Sequence, residues 1–546
     1  MDNGRDTTII LCGGPINYTN LPIGTNLSNA MIPVNGKPVI GWILDDLLMK
    51  GIRNDIRIVF REQDHRLKSF TQRAYQSRLD VHLIPLKESG SIVESLYAAI
   101  EGSTLEKTIR IVLGDTLIRD SYKGGGDYVY ISQVNSSRRW CLAVIDTKGK
   151  VQNYYDKEDL PDGEYLALAG YYQFCHRNDL RHCVQTCVEE NEKELSDVLR
   201  RYGEMHPIYA RIAETWFDFG NIDNLIDARQ RLLNTRYFNS LHVNPILNTI
   251  TKVSERDQTL TDELDWYLNI PEELSVLAPR ILNHKRVNGN LQIIQEYYGY
   301  PTLAELYVYS DLHTDTWMSI LRHLFAIHSE FRKYPKKLTP EQVNIMYAKK
   351  TWERIEALKN QDKKWYEILE EKYIPYNGKK LLGINQLRNR IDALSKKLSQ
   401  DAKGCIIHGD FCFSNILHDI NNQIIRLIDP RGRFGEKGIY GDSRYDIAKL
   451  RHSICGCYDF IVADMFSLSK NEKGFIGEIM VEPLQKTLPD LFDALVIEAG
   501  YNLDEIKFIE GLLFISMLPL HQDYPQRQRM MFLTGLSLLN EVLCES

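Results

Sequence analysis

No apolar run in this sequence approaches the ~20 residues that a helix needs to cross a bilayer. The best stretch, residues 512–520, is short and predicts a buried helix. Basic charge is not in excess either: 66 Lys and Arg stand against 73 Asp and Glu, for a formal net charge of −7. That balance excludes a global positive field toward nucleic acid or an anionic membrane, so any phosphate site must be a local concentration of Lys, Arg and backbone amides. The ten cysteines are scattered. Cys183 and Cys187 lie four apart and Cys455 and Cys457 two apart, but neither pair has a partner cluster, which argues against a structural zinc site. The sequence shows no secretory signal, which predicts reduced thiols and a cytoplasmic location. Internal repeats and low-complexity linkers are missing too. With 43% hydrophobic and 25% charged residues, extensive disorder is excluded. What is present is an ordinary folding composition over 546 residues, too long for one hydrophobic core, so two or more domains are expected.

Residues 1–235 alternate apolar strands with amphipathic helices. Strands are expected over residues 8–12, 56–60, 81–85 and 109–113, and helices over 39–48 and 92–100. This rhythm predicts an α/β domain with a mainly parallel sheet covered on both faces. Ligands of such sheets bind at the carboxyl ends of the strands, where Gly13, Gly14, Gly114 and Asp115 fall. Near residue 235 the pattern changes. Residues 238–253 predict paired strands with a turn around 244–248, a helix follows over 260–268, and residues 303–400 read as strongly helical. Two more apolar strands then carry polar ends, and helices are expected from there onward.

Those two strands carry the clearest chemistry. Ile406-Ile407-His408-Gly409-Asp410 delivers an Asp to a turn, Asn415 follows five residues later, and Ile428-Asp429 delivers a second Asp. One carboxylate beside an attacking hydroxyl, with an amide and a second carboxylate to hold Mg2+, is what phosphoryl transfer requires. The order and spacing resemble the catalytic loop of the aminoglycoside phosphotransferase and choline kinase group, and Asp429-Pro430-Arg431-Gly432 resembles its metal segment. The resemblance implies a protein-kinase-like α+β bilobal domain over 236–546, with a small lobe over about 236–302 and a helical large lobe over about 303–546. It assigns Asp410 to the substrate hydroxyl and Asn415 and Asp429 to Mg2+. His408 is placed with the catalytic residues, more as a brace of the loop by hydrogen bonding than as a base. Asp442 and Asp446 look like acids that brace the loop. Lys252 in Ile250-Thr251-Lys252-Val253 and Glu263, eleven residues on, look like the ATP-anchoring pair. Glu296, in Gln295-Glu296-Tyr297-Tyr298-Gly299-Tyr300, falls where the hinge of such kinases meets adenine. The departure is a glycine-rich loop: residues 236–260 contain no GxGxxG, so backbone amides around 244–248, or Lys252 and metal, must hold the phosphates.

In the N-terminal half, Leu11-Cys12-Gly13-Gly14 and Met31-Ile32-Pro33-Val34-Asn35-Gly36-Lys37-Pro38 resemble the sugar-1-phosphate nucleotidyltransferase family. The resemblance implies a Rossmann-like domain over 1–235, with Gly13 and Gly14 at the nucleotide. It makes Asp115 and Asp218, the latter in Trp216-Phe217-Asp218-Phe219-Gly220, the metal carboxylates, and Ala169-Gly170-Tyr171-Tyr172 a sugar-side segment. Two of the family's cations are missing. Pro15-Ile16-Asn17-Tyr18-Thr19-Asn20 has no Arg, and Asn29 stands where a Lys is expected. Lys37 is the cation left for catalysis, with Arg61 and Lys87 as alternatives.

Together the halves resemble bifunctional bacterial capsule-biosynthesis proteins. The implied function is phosphorylation of a sugar or polyol by ATP, then transfer of a nucleotidyl group, with CTP as the implied donor, to give an activated precursor for a surface polysaccharide. Mg2+ is the implied cofactor. Two alternatives stand: an amino-alcohol (choline) kinase with cytidylyltransferase, and an active kinase with a non-catalytic nucleotide-binding half. Partners are expected to be small molecules and nucleotides, with no nucleic acid and no membrane span. A homo-oligomer is compatible with the sequence but not indicated by it.

Overall fold

In the computed structural model, which describes residues 6–14, 28–87, 90–101, 108–122, 125–161, 163–220, 222–233, 240–254, 257–522 and 524–544, the alternating pattern resolves into one mixed sheet. Its strands are β1 (Thr7–Leu11), β2 (Ile56–Arg61), β3 (Val81–Leu86) and β4 (Ile109–Leu113), all parallel in the order β3-β2-β1-β4. β1 is buried at every position, as a central parallel strand covered on both faces must be. Helices α1 (Val39–Met49), α2 (His65–Tyr75) and α3 (Ile92–Ile100) fall within these crossovers, and α3 is closed by a Ser91–Glu94 capping box.

Past β4 the sheet changes character. A short strand β5 (Thr116–Ile118) leads to β6 (Tyr128–Val134), β7 (Cys141–Ile145), β8 (Val151–Asp156) and β9 (Tyr165–Phe174). β9 runs antiparallel to β4, β6 and β7, and β7 pairs antiparallel with β8. The parallel arrangement read from the sequence therefore holds for the half of the sheet whose crossovers are long enough to carry a helix. Short turns such as 146–150 impose antiparallel pairing on much of the rest, although β10 (Tyr209–Ile212) lies parallel to β6. β11 (Trp216–Asp218) lies antiparallel on β5. Helix α4 (Ile222–Leu233) follows.

The chain divides into two compact units, residues 1–229 with 309–311, and residues 230–308 with 312–546. The boundary expected at 235 falls within 234–239, outside the described residues. The second unit opens with β12 (Ser240–Asn244), β13 (Thr249–Val253), α5 (Asp257–Asn269), β14 (Ile281–Val287) and β15 (Asn290–Glu296). The strands form an antiparallel sheet in the order β12-β13-β15-β14, and Leu260 and Leu264 of α5 pack on Leu291 and Ile293 of β15. The remainder is largely helical, including α6 (Thr314–Arg332), α7 (Pro340–Asn344) and α8 (Lys350–Gln361). Two hairpins interrupt it against expectation: Tyr373–Tyr376 with Lys379–Leu382, and Phe466–Asn471 with Gly474–Ile479. Asn377 and Gly378, both at positive φ, turn the first of these, an Asn-Gly signal that the dense charge around it obscures.

The catalytic-looking strands form two separate ladders. β16 (Gly404–Ile406) pairs with β19 (Tyr440–Asp442), while β17 (Ile416–Asp419) and β18 (Ile424–Leu427) make a hairpin. Helix α9 (Ser443–Ile454) follows β19 and is buried along its whole length, although it carries Arg444, Asp446, Lys449, Arg451 and His452. Later helices, among them α10 (Leu503–Met517), close the unit; α10 includes part of the apolar stretch noted above and is buried as expected.

Two outcomes are expected from this packing. Gly432 has a φ of +60°, and a Cβ there would lie 1.9 Å from the Asp262 carbonyl oxygen of α5. Gly432→Ala should cost roughly 2–3 kcal/mol, read as a lower unfolding temperature of the C-terminal unit with the N-terminal transition unmoved. Burial also pushes His328, His408 and His521 down to about 4. The unfolded chain takes up these protons near pH 6.5 and the folded one does not. Each histidine thus lowers stability by about 1.4 kcal/mol per pH unit as pH falls from 6.5 toward 4, while Asp218, Asp446 and Asp459, raised to about 7, act in the opposite sense over the same window. Denaturant titrations of the wild type and of His521→Gln across that window read one histidine's share; identical slopes for the two would contradict the burial.

Candidate active sites

The N-terminal site is assembled by the pairing of β11 on β5. Asp115 follows the end of β4, Asp218 ends β11, and Asp218 sits opposite Thr116. The Phe219 N–H donates to the Asp115 carbonyl at 2.9 Å. A Cβ at Gly220 would lie 3.1 Å from Asp218 Oδ1 and 3.3 Å from Asp115 Oδ2, so both carboxylates close on one point. Burial pushes both carboxyls up, and the Asp115 charge adds to the effect on Asp218, which reaches about 7. Two buried like charges raise each other's pKa, and a divalent cation bound by hard oxygen ligands relieves that repulsion. The pair fits Mg2+. Amides steady it: Asn29 Nδ2 donates to Asp115 Oδ2 at 3.3 Å, and Asn224 donates to Asp218. The sequence reading missed Asn224, whose only signal was a polar residue one turn into the helix after Asp218.

A cleft of about 320 Å³ opens beside Asp115, lined among others by Gly13, Gly14, Asn29, Ser95 and Gly114. It lies at the carboxyl end of β1, as expected for this topology. Among the described residues, a Cβ at Gly14 would meet nothing within 4 Å. Gly170, at a φ of +79°, sits in a bulge of β9 where a Cβ would lie 2.8 Å from Thr116 Oγ1. That bulge brings the backbone of the expected sugar-side segment next to the residue after Asp115, while Tyr171 and Tyr172 themselves are buried. Lys37 is a correction. It pairs with Asp45 of α1, lies 4.7 Å over the Trp42 ring, and is not among the residues lining the cleft. The hairpin that carries it runs straight into α1, which puts Asp45 within its reach. Arg61 is buried at the end of β2, where its charge acts on Asp64, and Lys87 is exposed beyond β3. The loop 15–20 lies outside the described residues.

In the C-terminal unit the structure brings Asp410, Asn415, Asp429, Lys252 and Glu263 together from four separate segments. Asp446 of α9 accepts from the N–H groups of His408 at 2.7 Å and Gly409 at 2.9 Å, and Gly409 takes a φ of +78°. The Arg431 N–H donates to the His408 carbonyl and the Ile428 N–H to the Asn415 carbonyl, which ties the two Asp-bearing segments to each other. Asp410 Oδ1 meets Lys449 Nζ at 2.7 Å and its Oδ2 accepts from Asn415 Nδ2 at 2.9 Å. Burial opposes the Asp410 charge, but the Lys449 ammonium outweighs it and holds the carboxyl down at about 2. Such a carboxylate is permanently charged near neutrality and orients a hydroxyl better than it retains its proton. Asn415 directs its NH2 at Asp410, and its carbonyl oxygen accepts from Ser414 Oγ at 3.5 Å. Lys449 was missed in the sequence, where only a polar interruption in Ile447-Ala448-Lys449-Leu450 marks it.

Lys252 Nζ meets Glu263 Oε1 at 2.7 Å and also pairs with Asp429. Burial works against the Lys252 charge, yet Asp429 and Glu263 prevail and keep it well above its usual range. Asp429 sits at a φ of +56°, its side chain 52% exposed, and its N–H donates to the Tyr267 hydroxyl. A half-exposed carboxylate beside a lysine and an amide carbonyl fits a hard cation.

Four expectations are corrected here. The His408 imidazole is fully buried against the Trp266 ring, 5.7 Å between centroids, and held neutral; the residue braces the loop through its backbone, and its ring is no base. Glu296 is not free for a nucleotide: its side chain binds Arg280 and the Tyr298 hydroxyl, and the N–H groups of Glu296 and Tyr297 are donated to Arg280 and Asn248. The 245–248 turn directs two amides, of Ile246 and Leu247, at Asn244 Oδ1. Those two amides are therefore engaged within the turn itself. Asp442, expected to brace the loop, instead caps α9 and binds Arg444, and Arg433 binds Asp262.

Residues 7–235 match the family model described as Nucleotidyl transferase. A glucose-1-phosphate thymidylyltransferase of Xanthomonas campestris pv. campestris is 25% identical over 234 residues, 40% of this chain and 78% of that protein. One of Neisseria meningitidis serogroup A is 22% identical over 269 residues, 47% of this chain and 91% of that protein. Among solved structures, HddC from Yersinia pseudotuberculosis superposes with a TM-score of 0.34 at 16% identity, over 42% of this chain and 99% of that one. The geometry and the family match together identify residues 7–235 as a nucleotidyltransferase domain.

Proposed function

We propose that the chain is a bifunctional enzyme whose second unit phosphorylates a small hydroxylated substrate with ATP and whose first unit joins that phosphate to a nucleotide. The observation that carries the first step is the convergence of Lys252, Glu263 and Asp429 beside Asp410 and Asn415. Asp410 accepts the hydrogen bond of the substrate hydroxyl and points its oxygen at the γ-phosphorus of ATP. The bond from γ-phosphorus to the bridging oxygen breaks, ADP leaves, and the hydroxyl proton passes to the carboxylate and on to solvent. Lys252, fixed by Glu263, binds the nucleotide phosphates. Mg2+, for which Asn415 and Asp429 supply oxygen ligands, would neutralise charge on those phosphates.

In the second step an oxygen of the new phosphate attacks the α-phosphorus of a nucleoside triphosphate and pyrophosphate leaves. Asp115 and Asp218 would hold the cation of that reaction, and the cleft lined by Gly13 and Gly14 would admit the triphosphate. The donor is a pyrimidine nucleoside triphosphate. CTP is favoured by the resemblance read from the sequence and dTTP by analogy with the thymidylyltransferases. The product serves as an activated precursor of a surface polysaccharide such as capsule. A second reading, a nucleotide-binding first unit without turnover, draws on Asn29 in the place of a lysine and on Lys37 being held by Asp45.

Asp410→Ala should lower ADP release at least about 100-fold, with pyrophosphate release from CTP or dTTP and a supplied sugar 1-phosphate unchanged. Asp115→Ala should do the reverse. Loss of both activities in either variant would sink the idea of two separable sites, and no pyrophosphate from the wild type would favour the second reading.

A further inference from the structure

The acceptor side of the C-terminal site is basic, and this bears on the substrate. Lys449 is 9% exposed and meets Asp410 at 2.7 Å. Arg431 lies against Gly409, where a Cβ would come 2.8 Å from its own Cβ, and donates to the buried Tyr445 hydroxyl at 3.3 Å. Tyr445 and Lys449 are one turn apart on α9, so one helical face supports both cations. Lys350 begins α8 directly after a π-helical turn, Ile345–Lys349. Such turns add a residue to re-aim side chains and are frequent at functional sites. This one is pinned in place: the Tyr347 hydroxyl donates to Asp442 Oδ2 at 2.9 Å and the Tyr347 ring stacks over that of Tyr445.

Burial and the charges of Arg431, Lys449 and Arg354 push the Lys350 ammonium well below its usual range, opposed by Asp410 alone among the charges that act most strongly on it. Among the described residues neither Lys350 nor Arg354 has a hydrogen-bond or ion-pair partner, and Arg431 has no carboxylate partner. Four cations thus gather around one carboxylate. A separate set surrounds Lys252, namely Asp429, Glu263 and Tyr267, so the nucleotide-side charge is already balanced without the first set. A half-buried excess of positive charge beyond what Asp410 balances is expensive unless a ligand brings the anion. The guanidinium of Arg431 or Arg354 suits a carboxylate or phosphate in particular.

We propose that the phosphoryl acceptor is itself an anion, a hydroxyl compound bearing a carboxylate or a phosphate, with Lys350, Arg354 and Arg431 binding that group while Asp410 orients the hydroxyl. This rests on the kinase reading above and narrows its substrate class. It disfavours a quaternary ammonium acceptor, which needs aromatic faces and negative charge.

ADP release by the full chain with ATP and Mg2+ tests the proposal on matched acceptors: D-glycerate and glucuronate, glycerol 3-phosphate and glucose 6-phosphate, glycerol and glucose, and choline. At least tenfold higher kcat/KM is expected for one anionic class over the neutral compounds, and the two anionic classes tell carboxylate from phosphate. Lys350→Met should raise KM for the preferred anion at least tenfold and leave KM for ATP unchanged, with the unfolding temperature as the check on folding. Preference for glycerol, glucose or choline would overturn the proposal and leave the kinase reading standing. A raised KM for ATP instead would assign the cluster to the nucleotide and also overturn it. If no acceptor yields ADP, titration calorimetry with the same compounds decides: anion binding weakened tenfold in Lys350→Met supports the proposal, and no anion binding overturns it. Failure of ATP and Mg2+ to bind would separately remove the kinase reading.

Discussion

The C-terminal site depends on one buried carboxylate. Asp446 is fully enclosed in α9 and accepts from two successive backbone N–H groups, those of His408 and Gly409. Burial pushes its carboxyl up to about 7, against the pull of those two donors. The bonds hold the loop in the turn that presents Asp410, and the same helix supplies Lys449 one turn later to balance Asp410. Loop shape and loop charge are thus set by a single element. That explains why α9 tolerates so many polar residues in a place where almost none of its surface meets water: Arg444 and Arg451 are likewise paired, with Asp442 and Glu505 and with Asp493 and Glu510.

The two sites solve the electrostatic problem of phosphate chemistry in opposite ways. In the N-terminal unit, Asp115 and Asp218 are buried together and stabilised by amides, a state that favours uptake of a proton or a divalent cation. In the C-terminal unit, the carboxylates are each matched to a lysine, Asp410 to Lys449 and Asp429 to Lys252. The cations Arg431, Lys449 and Arg354 act on Lys350, whereas Lys252 is acted on by Asp429 and Glu263. Asn29 fits the first pattern: as an amide it can steady Asp115 without neutralising it.

Much of this was legible because the chemistry sits at the ends of apolar strands. The β1, β4 and β11 ends announced Gly13, Gly14, Asp115 and Asp218, and Ile406–Asp410 with Ile428–Asp429 announced the second site. The Lys252–Glu263 contact was expected from the family resemblance, because a Lys in a strand and a Glu on the next helix are by themselves commonplace. Errors arose where a side chain had a nearer partner than the one imagined. Lys37 reaches Asp45, Glu296 reaches Tyr298 and Arg280, and the Ile246 and Leu247 amides reach Asn244. Nothing in the neighbours of His408 reveals that Trp266, from a distant helix, covers its ring.

Strand ends, the change of rhythm near residue 235 and the spacing of carboxylates and amides were determined by sequence alone, because hydrophobic period and turn-forming residues act over a few positions. Which carboxylates meet, and with which cations, was decided only by tertiary structure. Asp218 reaches Asp115 through a strand pairing across about 100 residues, and Lys350, Arg431 and Lys449 gather around Asp410 from three separate elements. Charge is a long-range interaction, and its balance at a site depends on burial and on neighbours that no local pattern encodes.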